Sequence, residues 1–128
     1  MFAGEYIKLQ DAFVSELNQF VGQFKVIGYN MNDGAVFHYS DQVVNTANGT
    51  SVISPNGTAL IAWKATAQVA LNDCDQNSEW GLFQQQAGNG NGLKWTVGLT
   101  DGGTLASGTV DLDCSVLTPS FKSLETQN

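Results

Sequence analysis

The chain has no arginine. Its basic residues are five scattered lysines, Lys8, Lys25, Lys64, Lys94 and Lys122, set against twelve acids for a net charge of −7. Phosphate recognition needs clustered Arg and Lys that displace counterions. This composition therefore argues against nucleic acid as a partner, and equally against an anionic lipid surface recruited by charge. Charged residues make up only 13% of the chain, about half the usual share. Asn, Gln, Ser, Thr and Gly supply the polarity instead, as is common in extracellular β proteins. Histidine occurs once, proline and cysteine twice each. No apolar run approaches the roughly 20 residues a membrane span needs. No secretory signal is visible at the N-terminus, which lacks a basic head and an uninterrupted apolar run. The expectation is a mature form with an added Met1, or export by another route. Walker loops, dinucleotide fingerprints, His-Glu-x-x-His and nucleophile elbows are all missing.

What is present is enough for a core. At 128 residues and 42% hydrophobic content, residues 1–128 read as a single globular domain. Cys74 and Cys114 each sit among acids, in Asn72-Asp73-Cys74-Asp75 and Asp111-Leu112-Asp113-Cys114. Their polar flanks argue against plain core thiols and for one disulfide in an exported protein. Asn48-Gly49-Thr50 and Asn56-Gly57-Thr58 match the N-glycosylation acceptor, which agrees with secretion.

Residues 5–22 carry the one helical pattern. Tyr6, Leu9, Phe13, Leu17 and Phe20 recur at steps of three and four, with Ile7, Val14 and Val21 on the flank. Gly22 is placed to stop that helix in the left-handed region. The period then changes to two. Lys25–Tyr29 and Ala35–Tyr39 read as strands around the Asn32-Asp33-Gly34 turn. Val52-Ile53 reads as a short strand. Leu60–Leu71 is the longest candidate, with Ile61, Trp63, Ala65, Ala67, Val69 and Leu71 on one face. Trp80–Ala87, the segment around Trp95–Leu99, and Val110–Val116 complete the set. Residues 117–128 form a polar tail. The predicted fold class is mainly β: an N-terminal amphipathic helix followed, over residues 25–116, by an antiparallel β-sandwich of about seven or eight strands.

Little of this sequence points to catalysis, and no enzyme is read from it. His38 stands between Phe37 and Tyr39 with Ser40 and Asp41 nearby, but a triad needs convergence in space, which adjacency in sequence does not supply. Asp73, Asp75, Asn77 and Glu79 alternate like the start of an EF-hand loop, yet Ser78 and Gln84 stand where that loop needs Gly and Glu. A disulfide would bring Asp73 and Asp75 towards Asp111 and Asp113, so a calcium site of another kind stays open beside plain solvated carboxylates. No other cofactor is implied.

Recognition by stacking and hydrogen bonding fits better. Sugars offer apolar C–H faces and many hydroxyls. Trp80 follows the acidic turn. Asn89 and Asn91 lie in the Gly-Asn repeat. Tyr29 and Tyr39 flank the hairpin that carries Asn32 and Asp33. These seven residues are the candidate ligand set, while Trp63 and Trp95 fall in the apolar phase of their strands and read as core.

The layout of an amphipathic helix over 5–22 and a strand pattern over 25–116, with this composition, resembles the fungal immunomodulatory proteins and small mushroom lectins. That resemblance implies a glycan-binding protein that dimerises through its N-terminal helix. The expectation is a secreted, lectin-like defence protein recognising neutral glycans. A self-assembling capsid-type subunit and a membrane-active toxin are the alternatives.

Overall fold

The computed structural model describes residues 3–17, 20–29, 37–43, 46, 48–55, 57–70, 74, 76–87, 93–100, 105–108, 110 and 114. Helix α1 spans Ala3–Leu17, five residues short of the expected end at 22. Its most buried line is Tyr6, Gln10 and Val14, with a glutamine at the centre. Ile7, Leu9 and Phe13 pack beside that line against the core. Lys8, Asp11, Ala12 and Ser15 face outwards. From Tyr6 to Val14 the apolar stripe thus packs on the protein's own core.

Beyond the helix, Phe20–Gly22 is a strand, β1. It pairs antiparallel with β3, Thr50–Val52, placing Phe20 opposite Val52 and Gly22 opposite Thr50. Gly22 does not end a helix. A side chain there would sit 2.9 Å from Ile27 and 3.0 Å from Phe13, so glycine lets these side chains pack closely. Gln10 secures the junction: its amide donates to the Gly22 carbonyl and accepts from the Gly22 N–H, both at 2.9 Å.

Where a strand was expected over Lys25–Tyr29, Phe24–Ile27 form a single helical turn, α2. Gln23 at its cap position provides no side-chain bond. Asp41 provides one from across the fold, accepting from the Phe24 N–H at 2.9 Å. Gly28, at φ 80°, closes the turn in the left-handed region.

Four strands make the main sheet: β2 (Phe37–Asp41), β4 (Leu60–Ala67), β5 (Glu79–Gln86) and β6 (Leu93–Thr100), antiparallel in the order β2-β4-β5-β6. One face turns towards α1. Trp63, Ala65, Ala67, Trp80, Leu82, Trp95, Val97 and Leu99 are all buried on it. Tyr6 binds α1 to this face, its hydroxyl donating to the Ala62 carbonyl at 3.3 Å and its ring meeting Tyr29 and Trp95 edge-on. Trp95 donates its indole N–H to Asp11 at 2.9 Å. The β4–β5 register shifts between Ile61 and Trp63, where Ala62 is extra. This bulge places Ile61 opposite Phe83, on the other face from Trp63, and breaks the single stripe that alternation implied.

The described residues thus form a mainly β fold, with an N-terminal helix and two antiparallel sheets of two and four strands. Seven or eight strands of a closed sandwich are not among them. Of the expected 110–116 strand, Val110 bridges Leu99 in parallel and Cys114 is helical and buried; its other residues lie outside the described set.

Candidate functional site

The face turned away from α1 is built differently. Strand register aligns His38, Thr66, Glu79 and Thr100 in one row across all four strands. The adjacent row is Ser40, Lys64, Gly81 and Gly98. Each side chain follows from the period of two: these residues occupy the polar phase of strands whose other phase is core. Lys64 pairs with Glu79 at 3.1 Å, both side chains about a quarter exposed. His38 is exposed, and Ser40, Thr66 and Thr100 are half-buried. Gln42 donates to the Ser40 hydroxyl. The result is a polar patch carrying an imidazole, three hydroxyls and an ion pair, bordered at Gly81 and Gly98 by Leu105 and Ala106. Such groups hydrogen-bond both ways to hydroxyls and amides.

This patch lies at the sheet end where β2 and β5 begin and β4 and β6 finish. The disulfide Cys74–Cys114, with its Cα atoms 4.9 Å apart, ties the β4–β5 connection to the distal chain at the same end. Both cysteines are fully buried, and the Ser78 hydroxyl, 3.5 Å away, donates to Cys114 Sγ.

The expected ligand residues divide. Trp80 is a correction: it is 0% exposed, lies opposite Ala65 and Leu99 on the helix-facing side, and meets Phe37 edge-on. Its ring offers no face to a ligand. The phase of Trp80 with Leu82 was the signal for this. Tyr29 is also buried, and its hydroxyl accepts from the Trp63 indole N–H at 3.2 Å. Tyr39 is half-buried against Phe37 and Trp63, on the helix-facing side. Asn32, Asp33, Asn89 and Asn91 lie outside the described residues. Asp73, Asp75, Asp111 and Asp113 lie outside the described residues as well. Among the described residues no group of three metal-ligating side chains gathers.

Among the described residues the perturbed titratable groups sit on the helix side. Burial pushes the Asp11 and Asp41 carboxyls up from their ordinary value, partly offset by the N–H groups that bond them. Burial likewise raises the Tyr6 phenol and pushes Tyr29 up to about 12. Asp41 directly follows Ser40 in β2 but pairs with Trp63 on the opposite face from the polar rows. Among the described residues no helix is long and apolar enough to cross a membrane.

No protein family, curated protein or solved structure matches this chain.

Proposed function

We propose that this chain is an exported, non-enzymatic carbohydrate-binding protein. We place its recognition surface at the disulfide-tied end of the main sheet, on the face away from α1. The row His38–Thr66–Glu79–Thr100 carries the reading. It offers donors and acceptors in strand register on a part-exposed face. Neutral glycans suit such a surface because their hydroxyls need hydrogen bonds and bring no charge. The low charge of the chain and its oxidised cysteine pair support the same reading.

A glycan array probed with the oxidised protein tests this, with calcium and with chelator. Thr66→Ala and Glu79→Gln are expected to weaken binding by about tenfold, the scale of one lost polar contact. Asn91→Ala, outside the polar rows, is expected to leave it unchanged. Binding to no glycan, or loss confined to Asn91→Ala, defeats the proposal.

Self-assembly is the second reading. Phe20 and Val52 face each other across β1 and β3 while 39% and 61% exposed. Light scattering over a concentration series tests it: a monomer throughout removes both assembly and the homodimer.

A further inference from the structure

We propose that Asn48 is a glycan attachment site, which takes an N-linked oligosaccharide on its side-chain amide as the chain is exported. This rests on the exported reading above and is independent of what the polar rows bind. Asn48-Gly49-Thr50 and Asn56-Gly57-Thr58 are the chain's two acceptor triplets. Such a triplet can carry its bulky polar branch only where the folded chain leaves the asparagine at the surface. Asn56 lies outside the described residues; Asn48 lies within them and is exposed.

The fold presents Asn48 on a turn. The β1–β3 ladder runs from Phe20 opposite Val52 to Gly22 opposite Thr50. One more bond, from the Gln23 N–H to the Gly49 carbonyl at 2.8 Å, carries it to Gly49. Asn48 is the next residue along, past that last rung. Asn48 has φ 54° and Gly49 φ 78°, the left-handed pair that Asn-Gly turns supply. Gly49 is buried, and a side chain there would meet Val26 Cγ2 at 2.4 Å. The middle residue of the triplet is thus fixed against α2, while the asparagine before it stands in solvent. The Thr46 N–H donates to the Thr50 carbonyl at 3.0 Å, which pins the chain leading into the turn. Val26 is itself 39% exposed and gives the first sugar an apolar neighbour for its C–H face.

The donor the transfer requires is a lipid-linked oligosaccharyl pyrophosphate. The bond from the sugar C1 to the pyrophosphate oxygen breaks, a bond from C1 to Asn48 Nδ2 forms, one amide proton is lost, and the lipid pyrophosphate leaves. The transfer acts on the emerging chain, and the finished fold then holds the branch outside.

Secretion of the full chain from a eukaryotic host, behind a cleavable export signal, tests this. Asn56→Gln leaves Asn48 in the one remaining acceptor triplet, and the intact mass of the secreted, oxidised protein is the readout. One glycan is expected. Peptide N-glycanase should release it from the native, undenatured protein and leave an aspartate at position 48. Thr50→Ser should keep the glycan, whereas Thr50→Val and Asn48→Gln should each reduce it to none. A secreted, disulfide-bonded chain without a glycan overturns the proposal and leaves the exported reading standing. So does a glycan that the enzyme reaches only after denaturation, because it would not stand at an open turn. A chain that stays reduced and unsecreted overturns the exported reading and the attachment site with it.

Discussion

The two faces of the main sheet share their strands and ladders and differ by one residue of phase. Facing α1, Trp63, Trp80, Leu82, Trp95, Val97 and Leu99 are each at most 2% exposed. Facing away, His38, Ser40, Lys64, Thr66, Glu79, Thr96 and Thr100 keep access to solvent, and Gly81 and Gly98 leave room for Leu105 and Ala106. Stability is concentrated on the first face and chemical variety on the second. The bulge at Ala62 shows how sharp that division is, since one extra residue moves Ile61 from one face to the other.

Substitutions can break this contrast, and the largest effect belongs to the aromatic face. Trp63→Ala should cost about 3–5 kcal/mol, as a large core truncation does, whereas Thr66→Ala, three residues along on the other face, should stay within about 0.5 kcal/mol. Denaturant titration measures both, and equal costs would erase the distinction. The next effect separates the two glycines. Gly98→Ala drives a methyl into the Ala106 backbone carbonyl and should cost about 1–3 kcal/mol. Gly81→Ala meets the tip of the Leu105 side chain, which can turn aside, and should cost less. Thermal unfolding ranks the pair.

Acidity sharpens the same contrast. Asp11 and Asp41 both bind a proton more tightly folded than unfolded, because burial disfavours their charge. Their contribution is absent at neutral pH. It grows as pH falls through their raised values, and is complete below the ordinary value of 3.8. The midpoint of thermal unfolding should therefore be higher at mildly acidic than at neutral pH, and Asp11→Asn should flatten that rise. Tyr29 acts at the other extreme. Its contribution is intact below 10.0 and lost as pH climbs towards about 12, so an alkaline unfolding limb should begin above pH 10.0. The smallest effect is on the polar face. Breaking the part-exposed Lys64–Glu79 pair with Lys64→Ala should change stability by about 0–1 kcal/mol, and a double-mutant cycle with Glu79→Gln measures the coupling.

Much of the main sheet was readable from alternation. Val97 and Leu99 announce β6, Trp63 and Ala65 announce β4, and Trp63 and Trp95 are core as their phase implied. The cysteine pair was readable from its flanks. Three features were not. Residues 24–27 look like strand because one helical turn is too short to show a period of 3.6, and the group that caps it, Asp41, lies 17 positions away in β2. Trp80 was misread because a polar turn precedes it, although β5 is buried on both faces along Trp80–Gln85. The row from His38 to Thr100 was invisible because register is a relation between strands. No single stretch of chain records which residue of β2 stands opposite which residue of β4.

Composition and period were thus sufficient for a β-rich domain with a helix at its start, a core of tryptophans, and one oxidised cysteine pair. Those properties depend on neighbours in sequence and on how side chains partition between water and a core. Only the tertiary structure decided where the helix yields to β1, which face Ile61 joins, that Trp80 is sealed, and that four polar residues from four strands stand in one line. These depend on contacts between distant segments, where a glycine, a bulge or a remote carboxylate determines what can pack against what.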